Sequence, residues 1–158
     1  MQTERAMQYM NFQGPSFILE VPVDWVVSSS PQFQAIFLGP ADQPVRPNVL
    51  ISIRPLEENV TVAQVAEQTR LNQERDYPQY EIIAEIDFTE QGGVGFLRRY
   101  RWLNTEGNTP IVQTQAFFVY NNLLYSITAT RAESIPENVA NLLDDIFDHM
   151  IESFRLSA

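Results

Sequence analysis

At 158 residues the chain fits one domain; 44% of it is hydrophobic and it has no cysteine, which excludes disulfides, thiolate nucleophiles and cysteine metal sites. A net charge of −10 and a pI near 4.4 oppose binding to nucleic-acid phosphates and to anionic membrane surfaces. All ten basic residues are arginine, so a lysine-dependent P-loop and Schiff-base chemistry are excluded as well.

Residues 1–8 read as a loose arm. The first ten residues lack the apolar core of a secretory signal, and no run approaches the length of a membrane span. A cytoplasmic protein with no membrane insertion is the expectation. Ser16 to Val21 alternate as a strand that Pro22 stops, and Asp24-Trp25 opens a second short strand. Phe33–Leu38 and Asn48–Ile53 form two more, separated by a proline-rich loop. Thr61 and Gln64 match a capping box, which predicts a helix that fades near Asp76 before Pro78.

From Tyr80 to Thr130 the sequence reads as a four-stranded meander. Its turns are Gly92-Gly93, Glu106-Gly107-Asn108 and Asn121-Asn122. In the first strand Tyr80, Ile82, Ala84, Ile86 and Phe88 alternate with Glu81, Glu85 and Asp87. Ser134 and Glu137 match a second capping box ahead of the last helix. There Val139, Leu142, Leu143, Ile146, Phe147, Met150, Ile151 and Phe154 recur at steps of three and four, a stripe wide enough to cover a sheet. The fold class is therefore α+β: an antiparallel sheet with helices packed on it.

No motif demands a reaction, a cofactor or a metal. His149, with Asp145 and Glu152 on the same helix side, is one histidine where zinc prefers several N or S ligands, and a solvated rim is the plainer account. Arg98, Arg99 and Arg101 resemble a nucleic-acid patch, but cross-strand pairing with Glu81, Glu85 and Asp87 explains them more simply. Gly92-Gly93-Val94-Gly95 joins two strands, so it is a hairpin and not a phosphate loop. Asn59-Val60-Thr61 reads as a helix entrance.

One constellation points to binding. With tight turns, Phe96, Arg98, Tyr100, Trp102, Gln113, Gln115, Phe117, Leu124, Ser126 and Thr128 share one sheet face; Leu97, Ala116, Phe118, Tyr125 and Ile127 share the other. The second set reads as core beneath the last helix. The first mixes aromatics with amides and hydroxyls. It suits a partner-binding surface on Phe96, Arg98, Tyr100, Trp102, Gln113, Gln115 and Phe117, or else an ordinary sheet face, half-exposed or covered by the first helix. A small-ligand site using Arg98 for a carboxylate or phosphate, and a structural subunit of a larger assembly, stand as alternatives.

Phe17-Ile18-Leu19-Glu20-Val21-Pro22-Val23-Asp24-Trp25 resembles the opening of DcrB-related proteins, a strand followed by proline and then tryptophan. Asn122 to Thr130 is similar to their penultimate strand, and Ile151-Glu152-Ser153-Phe154 to the end of their last helix. The resemblance runs from about Tyr9 to Phe154. It implies the fold of the PsbP photosystem subunits and of a nuclear Ran-release factor, a sheet sandwiched between helices. It also implies candidate roles, since some cytosolic members are adaptor chaperones of contractile secretion systems that hold apolar effector segments in a sheet groove with glutamine donors. Gln113 and Gln115 resemble those donors. The expectation is a non-enzymatic, cytoplasmic chaperone or adaptor, without cofactor, whose partner is a client protein with an apolar segment; a homodimer is compatible with it.

Overall fold

The computed structural model describes residues 7–90 and 93–157. The elements, in chain order, are β1 (Tyr9–Gln13), β2 (Phe17–Pro22), β3 (Val26–Ser30), β4 (Phe33–Leu38), β5 (Asn48–Pro55), α1 (Val62–Asp76), β6 (Glu81–Glu90), β7 (Gly93–Asn104), β8 (Thr109–Tyr120), β9 (Leu123–Ala132), α2 (Glu137–Ser153) and β10 (Arg155–Leu156). They form a seven-stranded antiparallel sheet in the order β3-β4-β5-β9-β8-β7-β6 and a small sheet β1-β2-β10.

The large sheet is buried on one side by α2 together with the small sheet. Ala35, Phe37, Val49, Ile51, Ala116, Ile127 and Ala129 point into this core, and Phe147, Met150 and Phe154 meet them from the helix and its end. Alternation makes this possible: Phe17, Leu19 and Val21 of β2 are fully buried while Ile18 and Glu20 between them are not. Rings supply much of the contact. Phe154 stacks on Phe17 and Phe118, and Phe12 meets Phe37 edge-on. We call this side of the large sheet the α2 face; α1 packs on the other, the α1 face.

The meander follows the sequence closely. Arg98 pairs with Gln115, Gln115 with Thr128, and Phe117 with Ser126, as tight turns require. Asn121 and Asn122 both take positive φ, 51° and 58°, which is the conformation a two-residue hairpin needs and asparagine tolerates. The Gly92-Gly93 turn lies partly outside the described residues. Thr61 caps α1 as predicted, with both reciprocal bonds formed.

Other expectations are corrected. Tyr9 to Gln13, to which the sequence reading gave no element, pair with β2. Asp24 and Trp25 form a turn, and Trp25 is buried against Phe147, so the following strand starts at Val26. A bulge between Ile82 and Ala84 shifts the register of β6. Ile82 then sits on the α1 face opposite Tyr100, whereas Ala84 and Ile86 sit on the α2 face, and Ile86 is exposed. Pro136 is the N-cap of α2 and no side chain caps it; Ser134 lies two residues too early for the second capping box. Leu142 is exposed, although the rest of the α2 stripe is buried or half-buried.

Phe147 is 1% exposed at the centre of the α2 core. Phe147→Ala should destabilise the fold by about 3–5 kcal/mol, the range for an aromatic cavity, as read by urea unfolding with an unchanged slope.

Candidate functional site

Cross-strand pairing lays the α1 face out in rows. One row runs Ser28, Ile36, Leu50, Thr128, Gln115, Arg98, Glu85 from β3 to β6. The next runs Val26, Leu38, Asn48, Thr130, Gln113, Tyr100, Ile82. Between their end residues, the rows carry aliphatic groups on β4 and β5 (Ile36, Leu38 and Leu50, beside Asn48), hydroxyls and amides on β9 and β8, and Arg98 and Tyr100 on β7. The gradient sets the polar end on β7 and β8, beneath α1, and the aliphatic end on β4 and β5.

The structure does bring Phe96, Arg98, Tyr100, Trp102, Gln113, Gln115 and Phe117 onto a single face, but α1 lies over β7 and β8. Arg98, Tyr100 and Phe117 are buried and the other four are part-buried. The expectation of an open surface at these residues is therefore corrected; of the two readings, the covered face is the one found. Val62, Val65 and Ala66 of α1 pack on Phe117 and Leu124. Farther along the helix, Gln73 is the hub. Its amide donates to the Tyr100 hydroxyl at 3.2 Å and to Gln115 Oε1 at 3.0 Å, and its oxygen accepts from the Tyr80 hydroxyl at 3.0 Å. Gln115 passes the chain on to Thr128 at 3.2 Å, and Gln113 links Trp102 Nε1 to Thr130.

Arg98 is 2% exposed. It donates through Nη1 to the Ala66 carbonyl at 2.9 Å and through Nη2 to Glu85 Oε2 at 3.0 Å, with its guanidinium 4.8 Å from the Phe96 ring centroid. Its donors are turned to the protein, which removes the support for a carboxylate or phosphate site. Burial, with Tyr77 and Tyr80 adding to it, pushes the Tyr100 hydroxyl above its ordinary range, so it stays a neutral hydrogen-bonding group.

Arg101, Arg99 and Arg131 are also paired within the protein. Arg101 bridges Glu81 and Glu133, as cross-strand pairing predicts for Glu81. Arg99 goes instead to Thr114 and to Asp148 of α2, and Arg131 to Asp144. Burial raises the Asp148 carboxyl above its usual range while Arg99 opposes the shift. His149 pairs with Glu20 Oε1 at 2.7 Å and stacks on Tyr9 at 3.8 Å, so its partners come from β1 and β2 and not from its own helix.

What the sequence reading missed is the other half of the face. Ile36, Leu38 and Leu50 are part-exposed and Val26 is 51% exposed; none of them joins either hydrophobic core. Ser52, Ser126 and Thr128 lie beside them, part-exposed. A cleft of about 930 Å³ runs along the border, between Arg54–Glu57 and the α1 residues Val65, Gln68, Thr69 and Asn72. The signal was present in β4, where Ile36 and Leu38 add apolar groups to a second face that a strand covered on one side does not need; on β5 the same face reads Asn48, Leu50, Ser52 and Arg54.

The sequence matches the DcrB family over residues 19–149. The chain belongs to the DcrB family. Solved structures share its fold. LpqN of Mycobacterium tuberculosis, described as involved in cell envelope biogenesis, superposes with a TM-score of 0.70 at 15% identity, covering 98% of this chain and 93% of that one. Cyanobacterial PsbP of Synechocystis sp. PCC 6803 gives 0.65 at 16% identity, covering 99% and 96%. The Ran-binding protein Mog1p of Saccharomyces cerevisiae gives 0.64 at 10% identity, covering 96% of each. No curated protein sequence matches the chain significantly. At these identities the likeness shows the PsbP-like α+β fold alone. Among the described residues no helix is long and apolar enough to cross a membrane.

Glu85 holds the buried Arg98 charge from the sheet edge and is itself 42% exposed in its side chain. Glu85→Ala should destabilise by about 1–2 kcal/mol, between an exposed pair and a buried charged hydrogen bond. Glu81→Ala, at the more exposed Arg101 pair, should change urea stability less.

Proposed function

We propose that this DcrB-family protein is a non-enzymatic binding protein, a chaperone or adaptor that shelters an apolar segment of a client protein. Its seat is the uncovered half of the α1 face, a shelf of Val26, Ile36, Leu38 and Leu50 bordered by Ser52, Ser126 and Thr128. The observation that carries this reading is the row of aliphatic side chains that belongs to neither core. Apolar groups left at a sheet surface gain free energy when a partner covers them, about 1.5–3 kcal/mol for each large side chain fully buried. The hydroxyls beside them offer hydrogen bonds to polar groups that the client would otherwise bury unpaired.

Binding is favoured over catalysis because the polar groups beneath α1 are engaged with one another. In its family the protein reads as an adaptor for effectors of a contractile secretion system, acting in the cytoplasm. That part rests on the resemblance of the DcrB-type segments and not on the shelf. A second copy of the chain is the competing occupant, since the shelf ends at the edge strand β3.

The test places a photo-crosslinking residue at Leu50 in the full chain in its native host and identifies the adducts by mass spectrometry. The crosslinked segment is then synthesised and titrated against the purified protein. The expected adduct is an apolar segment of another protein. Leu50→Arg and Ile36→Arg should each weaken its binding at least tenfold, about 1.4 kcal/mol, with Tm unchanged. Adducts only between copies of the chain, or binding insensitive to both substitutions, would sink the reading.

A further inference from the structure

The two helices are held in different ways. Helix α2 buries Leu143, Ile146, Phe147, Met150 and Ile151 along its length. Helix α1 buries only Val62, Val65 and Ala66 at its start, and Gln73 beyond them. Its second half therefore rests on the hydrogen bonds of Gln73 and, at the C-cap, on Tyr77, whose ring stacks on Trp102 at 3.9 Å. Those bonds are replaceable. Arg98 keeps Glu85 if the Ala66 carbonyl departs, and Gln115 keeps Thr128 if Gln73 departs. Removing α1 would bare the small apolar patch of Phe117 and Leu124 and the Trp102 ring, whereas removing α2 would expose the larger dry core.

The connections are built to match. The chain is fastened to the sheet just outside each end of α1, by Leu56 N to the Asn122 carbonyl at 2.7 Å and by Leu103 N to the Pro78 carbonyl at 2.8 Å. Between or beside these anchors, Asn59 (φ 68°) and Gln79 (φ 57°) take the left-handed conformation, which glutamine seldom adopts. We propose that α1 is a displaceable cover that swings on these two connections as a unit and uncovers the floor of Phe96, Arg98, Tyr100, Trp102, Gln113, Gln115 and Phe117. The floor then joins the aliphatic shelf through the rows that already run from one to the other, and a client longer than the shelf gains an amide-lined extension of its seat. This extension rests on the binding reading above; the motion of α1 does not.

Native-state hydrogen exchange of the client-free full chain tests it. The amides of residues 66–75 should open together, with one common protection factor at least tenfold below those of β8 and α2. Val65→Ala should speed exchange across these α1 amides at least tenfold and leave β8 unchanged relative to its own global stability. Overturning results are α1 amides that share the protection of β8, a gradient that falls smoothly from one helix end, or a Val65→Ala effect equal in α1 and β8. Any of these would remove the cover and leave the shelf intact. Failure of the Leu50 crosslinking experiment would remove the client and leave the motion of α1 measurable, so the two ideas fall separately.

Discussion

A full positive charge sits beneath α1, and the rest of the α1 face is arranged around it. Arg98 is almost without water contact, so its guanidinium needs an anion and well-placed acceptors. Glu85 supplies the anion from β6, the Ala66 carbonyl accepts from above, and the Phe96 ring lies alongside. One residue thereby ties the edge strand, the middle of the sheet and the helix together. The geometry works because Arg98, Glu85 and Gln115 share one cross-strand row, in the register that runs unbroken from Ala84 opposite Arg99 to Glu90 opposite Gly93. The extra residue at Ile83 lies beyond that stretch and reverses the faces of Ile82 and Glu81 instead.

The polar character of this layer explains why the two sides of the sheet behave differently. On the α2 face, fully buried aliphatic and aromatic groups exclude water from both helix and sheet, and the gain scales with area. On the α1 face, amides and a hydroxyl meet, and each bond formed replaces one that water could supply, for a net gain of about 1 kcal/mol or less. Such a layer gives orientation more than adhesion. It fixes where α1 lies, with Gln73 as the locating pin, and leaves apolar adhesion to three small side chains near its N-terminus and to the Tyr77 ring at its C-cap.

Much of this was legible in the residues, and the part that was not has a physical reason. The faces of β7, β8 and β9 follow from period-two alternation and from Asn121-Asn122, whose left-handed backbone fixes the register. The cap at Thr61 and the stripe of α2 follow from spacing. The bulge at Ile83 broke the alternation of β6, because a period-two pattern carries no mark of one inserted residue. The Ser134 box failed because Pro136, with no N–H and a fixed φ, already serves as the N-cap, so that the first turn opens at Glu137. Which half of the sheet α1 would cover was not legible at all. Its apolar stripe is short, and Gln73 looks like any surface glutamine until Tyr100 and Gln115 are set beneath it. The shelf was written in Ile36, Leu38 and Leu50, but an apolar residue in a strand does not say whether its face is covered.

The gradient along the rows carries the last step. A domain that only needed to fold would place its apolar residues under its helices and its amides toward water. Here the order on the α1 face is partly reversed: beside the apolar patch of Phe117 and Leu124, amides, an arginine and a tyrosine lie under the helix, while Val26, Ile36, Leu38 and Leu50 lie outside it among Ser28, Asn48 and Ser52. Stability of the isolated chain does not account for that arrangement, because exchanging the two groups would bury more apolar area under α1. It becomes intelligible if the free chain is one state of a larger complex. The aliphatic end then awaits a surface that only the partner brings, and the polar end stays soluble in either state.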